Sequence, residues 1–306
     1  MGDHGPSAFE SDALDERAAT GAHASTLSEG AEDEPRVERS SVDTDDPLDA
    51  ADPAAERERV CSFIERAVDG ADADGVVVAM SGGLDSTVTT ALAVEALGPD
   101  DVYGLILPCN KIGAPHARDA EALADALGID HDTVHLQPLY AQFGAVAPSQ
   151  FDIHDEPVRS GNAIARLRMT MAYLAANAMG RLVCGTSNRS ERLLGYVTKY
   201  GDGAADLLPI GHLYKTDVRA LAVEIDVPQF VVEKPPTAGF LPGQRDEDDL
   251  GAPYETIDRV LRLGVDHGLD SEAIADRLAS VDNVDVATVT DLLSRYRASA
   301  HKRRPP

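Results

Sequence analysis

Val76-Val77-Val78-Ala79-Met80-Ser81-Gly82-Gly83-Leu84-Asp85-Ser86-Thr87 passes from an apolar, β-branched run into a Ser-Gly-Gly-x-Asp-Ser string. A helical pattern over 87–97 follows and stops at Gly98-Pro99. The first five residues have the length and branching of a buried strand. A strand that turns through two glycines into a helix is a place where main-chain N–H groups can approach an anion closely. Ser81 and Ser86 would add hydroxyl donors. Asp85 would repel a bare phosphate, but it fits once Mg²⁺, which prefers oxygen ligands, lies between carboxylate and phosphate. The pattern G-x-x-x-x-G-K-[ST] is absent, so this is not an ordinary P-loop. The plainer alternative is a Gly-Gly turn with Asp85 capping the helix.

Outward from this turn, apolar strand patterns alternate with helical ones. Strands are expected over 102–107, 133–136 and 182–185, and helices over 116–127 and 162–179. Val60, Phe63, Ile64, Ala67 and Val68 form an amphipathic helix ahead of the first strand. Strands separated by helices of this length predict an α/β fold, a doubly wound parallel sheet of about five strands with helices on both faces. Beyond Lys215 the pattern is mostly helical, which adds C-terminal helices.

Residues 1–56 hold 16 acids and three arginines with few large apolar residues. Such a stretch cannot bury enough surface to offset the entropy of ordering it, so it is expected to be a disordered acidic tail. The folded body is then a single domain over 57–306. A net charge of −26 repels nucleic acid and anionic lipid, which argues against a polynucleotide or membrane partner. The excess suits a salt-adapted, halophilic protein. No apolar run nears the length of a membrane span, and no signal-peptide pattern opens the chain. Cys61, Cys109 and Cys184 are scattered and form no CxxC, as expected of a cytoplasmic protein without disulfides.

The Ser-Gly-Gly-x-Asp-Ser string resembles the signature of the ATP pyrophosphatases, the adenine nucleotide alpha-hydrolase-like superfamily. Five further strings choose among its members. They are Gly161-Asn162-Ala163-Ile164-Ala165-Arg166, Gly185-Thr186-Ser187-Asn188-Arg189-Ser190-Glu191, and Gly195-Tyr196-Val197-Thr198-Lys199-Tyr200-Gly201-Asp202-Gly203 with Asp206. Leu213-Tyr214-Lys215-Thr216 and Lys234-Pro235-Pro236-Thr237-Ala238 complete the set. In this order they resemble the ammonia-dependent NAD synthetase family over about residues 57–302. The resemblance implies ligation of ammonia to deamido-NAD with ATP as co-substrate and Mg²⁺ as cofactor, through an acyl-adenylate, in a homodimer.

By the same resemblance Ala79, Met80, Ser81, Gly82, Gly83, Leu84, Asp85 and Ser86 wrap the ATP phosphates, and Thr186, Lys215 and Thr237 are further ATP contacts. Asp85 and Glu191 are the implied Mg²⁺ ligands, with Asp85 and Lys215 carrying the chemistry. Arg166, Lys199, Asp206, His301 and Lys302 match positions that contact deamido-NAD. Asp206 is also a candidate base on ammonium. Glutamine-dependent relatives carry an amidase domain, for which this chain has no room, so ammonia is expected to arrive free or from another protein. The competing readings are a tRNA-thiolating enzyme, which would want reactive cysteines and a basic face, and a nucleotide-binding protein without catalysis.

Lysine usage supports the site assignment without any family argument. The chain has five lysines against 22 arginines, and Lys199, Lys215, Lys234 and Lys302 all fall in or beside these motifs. Where surface lysine is avoided, those that remain are expected where a compact ammonium is needed. Lys234 also has a simpler reading, as a cap of its segment, and is left outside the expected site. Arg166 and Arg168 face different directions on a helix, so only one can reach the nucleotide, and Arg168 is expected in an ion pair.

Overall fold

The computed structural model describes residue 48 and residues 50–109, 114–151, 153, 156–237, 239, 243–279 and 284–304. The tail expected over 1–56 therefore lies outside the described residues up to 47. Its last part belongs to the body: helix α1, Pro53–Ala71, starts on Asp52, whose carboxylate accepts the Ala54 N–H at 3.2 Å. Proline at the first position and an aspartate N-cap are ordinary start signals. Glu56 is buried within this helix.

Four strands, β1 (Val76–Met80), β2 (Val102–Ile106), β3 (Asp130–Thr133) and β4 (Leu182–Cys184), form one parallel sheet in the order β3-β2-β1-β4. About five strands were expected. Among the described residues the place beside β4 holds only a single parallel bridge, Cys184 to Leu207. The strand order reverses between β1 and β4. In doubly wound sheets, ligands bind in the crevice beyond the carboxyl ends of the two strands at such a point.

Side chains alternate across the sheet. Val76, Val78 and Met80 pack with α1, with α2 (Leu84–Leu97), with α3 (Ala114–Leu127) and with residues 218–222. Val77, Tyr103, Leu105 and Val183 pack with α4 (Gln137–Val146) and α5 (Pro157–Met179). Both faces are covered, which is why β1 reads as an unbroken apolar run. β3 sits at 130–133 rather than 133–136, because a sheet-edge strand holds its register through backbone bonds and can be polar, here Asp-His-Asp-Thr. Helix α2 begins at Leu84, three residues earlier than its apolar pattern suggested. Helix α5 begins at Pro157, where Glu156 caps Val158 and Arg159.

After β4 come α6 (Arg189–Leu194), α7 (Lys215–Glu224), α8 (Gln229–Val232), α9 (Asp246–Leu250), α10 (Tyr254–Leu261), α11 (Ser271–Leu278) and α12 (Val286–Ala298). Helices α6, α10, α11 and α12 share a second core around Ile257, Leu261, Leu278 and Leu292. A π-helical turn, Arg262–Asp266, extends α10. It joins this core to the sheet side: Arg262 Nη2 bonds both oxygens of buried Asp217 at 2.5 and 2.6 Å, and its guanidinium stacks on Tyr214, 4.5 Å from the ring centre.

Removing one partner of a buried pair strands the other charge, at a cost of about 3–5 kcal/mol. Arg262→Met is expected to lose that much stability in denaturant unfolding. A loss below about 1 kcal/mol would show that the pair does not hold the two cores together.

Candidate active site

The carboxyl ends of β1 and β4 bring three segments together. Ser81, Gly82 and Gly83 form the turn after β1, and Leu84, Asp85 and Ser86 already belong to the first turn of α2. Met80 and Leu84 bury their side chains in the core, so only their main chain can serve a ligand. Ser86 Oγ ties the turn to itself, accepting from Ser81 N at 3.2 Å and donating to Gly83 O at 3.2 Å. Gly82 has φ +71°, and a Cβ there would lie 2.5 Å from the His116 carbonyl oxygen, so no other residue fits.

The turn is also held from outside. Lys234 Nζ donates to Gly82 O at 2.7 Å and to Asp119 Oδ2 at 2.6 Å, which clamps the turn against α3. This residue was left outside the expected site. Its placement beside a motif in a lysine-poor chain was the available signal.

The centre of the site is a buried ammonium among carboxylates. Lys215, 3 % exposed, opens α7, and its Nζ donates to Asp85 Oδ2 and lies 3.7 Å from Glu191 Oε1. A cation at a helix N-terminus works against the helix dipole, and burial also disfavours it. Burial alone would lower the Lys215 pKa, but Asp85 and Glu191 outweigh it and hold the group above its ordinary value. Asn188 organises both acids. Its Nδ2 donates to Asp85 Oδ1 at 3.0 Å, and its Oδ1 caps α6 by accepting the Glu191 N–H at 3.0 Å. Burial, then the charge of Asp85, pushes the Glu191 carboxyl well above the usual range.

Asp246 adds a third carboxylate behind these, accepting from Tyr254 Oη at 3.1 Å and Tyr196 Oη at 3.2 Å. Helix α9 thus points Asp246 inward. Three carboxylates facing one ammonium leave negative charge that a divalent cation would neutralise. Among the described residues no three such side chains gather as a complete metal cage. One or two carboxylates completed by phosphate oxygens and water is the usual Mg²⁺ arrangement, and Asp85 with Glu191 fits it.

Beneath the ammonium lies a bonded relay. Lys215 N donates to Ser190 Oγ at 2.9 Å, Ser190 Oγ donates to Asp258 Oδ1 at 2.5 Å, and Thr216 N donates to Asp258 Oδ2 at 2.8 Å. Burial raises the Asp258 carboxyl to about 6, even though bonds from Ser190 and Thr216 favour its charged form.

The residues expected at the dinucleotide divide into a connected set and one outlier. Arg166 Nε donates to Lys199 O at 3.2 Å, and Lys199 Nζ to His301 O at 2.7 Å. Lys302 Nζ donates to Gly195 O at 2.7 Å and Val197 O at 2.8 Å. Arg166 also lines an apolar groove of about 870 Å³ between α4 and α5, with Phe143, Val146, Phe151 and Asn162. Asp206 has other partners: its oxygens accept from Val183 N at 2.7 Å and Tyr173 Oη at 3.1 Å. Thr186 lies just past β4, and Thr237 Oγ1 accepts the Gly239 N–H at 3.0 Å. Arg168 donates to the Leu107 carbonyl at 3.1 Å, a backbone contact where an ion pair was expected.

A glycine turn at the strand-order reversal, paired acids and a fixed ammonium define a nucleotide-binding enzyme of the doubly wound class. The NAD synthase family model matches residues 56–306, and the chain belongs to that family. It is 44% identical over 271 residues to the NH(3)-dependent NAD(+) synthetase of Halobacterium salinarum, covering 87% of this chain and 98% of that one. Among solved structures, it resembles the NMN synthetase of Francisella tularensis with TM-score 0.71 and 33% identity, covering 84% of this chain and 98% of that one. It also resembles an NH3-dependent NAD synthetase from Campylobacter jejuni with TM-score 0.67 and 28% identity, covering 84% and 98%.

Two outcomes follow from this geometry. Lys234→Met frees the Gly82 carbonyl, so the KM for ATP is expected to rise about tenfold, roughly one charge-assisted bond, with the deamido-dinucleotide KM unchanged. Equal changes in both would show that Lys234 does not act through the turn. The folded state binds the Asp258 proton more tightly than the unfolded chain, whose carboxyl titrates near 3.8. The stability this gives is full below pH 4 and lost as pH rises through about 6. The stability of wild type relative to Asp258→Asn should fall across that window in pH-dependent unfolding. A flat difference would contradict the assignment.

Proposed function

We propose that the chain amidates the nicotinate carboxyl of deamido-NAD with ammonia, consuming ATP and releasing NAD, AMP and pyrophosphate, the last step of NAD biosynthesis. The observation that carries the reading is the convergence of Asp85 and Glu191 on buried Lys215, in a member of the NAD synthase family. The substrate carboxylate attacks the α-phosphorus of ATP, pyrophosphate leaves, and an acyl-adenylate forms. Ammonia then attacks the acyl carbon, the C–O bond to AMP breaks, and a proton is lost from nitrogen.

In this reading, the N–H groups of the 81–83 turn and the start of α2 bind phosphate oxygens. Lys215 places its charge where negative charge accumulates at the α-phosphorus. A well-placed donor of this kind contributes about 3–4 kcal/mol to the transition state. Asp85 and Glu191 would hold Mg²⁺, which would neutralise the phosphates and polarise them toward attack. Thr186 and Thr237 flank the nucleotide. Arg166, Lys199, His301 and Lys302 bind the dinucleotide phosphates and ribose. Asp206, held by the Val183 N–H and the Tyr173 hydroxyl, is proposed as a further dinucleotide contact.

The apolar residues Phe143 and Val146 on α4, and Phe151, are exposed along the groove that Arg166 lines. We take this face as the contact of a homodimer whose dinucleotide pocket lies next to it. The acidic surface, few lysines and likeness to a Halobacterium protein support a cytoplasmic enzyme working in high salt. No helix among the described residues is long and apolar enough to cross a membrane.

The likeness to an NMN synthetase favours one second reading, in which the mononucleotide is the substrate. Purified protein in concentrated KCl with Mg·ATP and ammonium decides it when given deamido-NAD or its mononucleotide counterpart. The expected result is NAD with equimolar AMP, and a higher kcat/KM for the dinucleotide. Preference for the mononucleotide, or ADP as product, would overturn the first reading. Asp85→Ala should abolish AMP formation with the thermal midpoint retained. Val146→Asp with Phe143→Asp should yield monomers in sedimentation, and an unchanged dimer would remove the interface assignment.

A further inference from the structure

We propose that Asp258 is a positioning residue for amidation, setting the separation of Glu191 and Lys215 through Ser190 and the first turn of α7. The inference rests on the roles proposed above for those two groups. Glu191 and Lys215 stand on different helices, α6 and α7, with 20 residues of chain between the two helices. Their first turns already touch, through Lys215 N–H to Ser190 Oγ and Arg189 N–H to the Leu213 carbonyl at 2.8 Å, and one carboxylate braces both from outside. Asp258 Oδ1 takes the Ser190 hydroxyl at 2.5 Å, one residue before Glu191, and Oδ2 takes the Thr216 N–H at 2.8 Å, one residue after Lys215. Ser190 Oγ closes the link by accepting the Lys215 N–H at 2.9 Å. The bridge comes from a third helix, α10, so three elements share one bonded centre.

The chemistry of the link separates positioning from simple packing. Ser190 and Asp258 are 0 % and 1 % exposed. The partners of Asp258 are the Ser190 hydroxyl and the amide and side chain of Thr216, and the charge that acts on it is the like charge of Asp217. A buried carboxylate is costly, and packing alone would favour an apolar or neutral side chain. What the carboxylate does offer is two acceptors fixed in one plane, able to hold an O–H from α6 and an N–H from α7 at once. Asn retains only one such acceptor. Its amide would have to face the Ser190 oxygen or clash with the Thr216 N–H, so the link slackens while the volume stays filled.

Asp258→Asn, Asp258→Ala and Ser190→Ala in the full chain test this, beside Glu191→Gln as a reference. Three readouts are needed: thermal midpoint near neutral pH, kcat with KM for ATP and deamido-NAD, and affinity for Mg·ATP by calorimetry without dinucleotide. Misplacement of a reacting group by about 1 Å costs up to about 100-fold in rate. Asp258→Asn is expected to keep or raise the midpoint while kcat falls about 10- to 100-fold, with the deamido-NAD KM within about twofold. Mg·ATP affinity should weaken in the same variant, since Glu191 is displaced too. Combining Asp258→Ala with Ser190→Ala should add little to either alone, because both break one link. A lowered midpoint with wild-type kcat in Asp258→Asn would make the residue purely structural and overturn the proposal. A slow Glu191→Gln enzyme beside full-speed Asp258 and Ser190 variants would do the same. A full-speed Glu191→Gln enzyme would overturn the site itself, and the positioning claim with it.

Discussion

An ammonium buried at the start of a helix is the constraint around which this structure is arranged. Lys215 meets the positive end of the α7 dipole and is buried from water, both of which oppose its charge. Asp85 from α2 and Glu191 from α6 hold it there. Those three helices start at the carboxyl ends of β1 and β4 or on the loop that follows, so the charge group can form only if the sheet has this strand order. Sheet topology, helix starts and site chemistry are one arrangement seen at three scales. The surplus of negative charge makes the pocket hungry for a divalent cation and its phosphates.

Support for this group comes from places that do not touch a substrate. Asn188 fixes both acids, Lys234 clamps the glycine turn to α3, and Arg262 with Asp217 holds α7 against the second core. Each is a buried or half-buried polar contact across two elements. Such contacts give rigidity rather than net stability, which suits a site that must keep opposed charges at fixed spacing.

The parts of this plan that the sequence made legible share a physical cause. β1 came out at its observed bounds because a strand buried on both faces must be apolar throughout. The glycine turn and Asp85 were legible because close backbone approach and metal chemistry restrict the residue types allowed. β3 was misplaced since an edge strand carries no such demand, and α4 was missed for want of a clear apolar period. Asp258 is not legible as a site residue, and Asp246 stands in the sequence only as the start of an Asp246-Glu247 pair beyond the Lys234–Ala238 string. Each looks like a solvated helix acid until tertiary packing turns it inward, and their partners lie 8 to 68 residues away. Lys234 sits 152 residues from Gly82, and only the scarcity of lysine hinted at it.

The account is tested most directly by locating the cation. Crystals grown with a non-hydrolysable ATP analogue and Mn²⁺ can be measured at the manganese absorption edge. An anomalous peak is expected about 2.0–2.3 Å from carboxylate oxygens of both Asp85 and Glu191, with β- or γ-phosphate oxygens completing its shell. Manganese bound elsewhere, or nucleotide bound with those two carboxylates still closed on Lys215 alone, would contradict it.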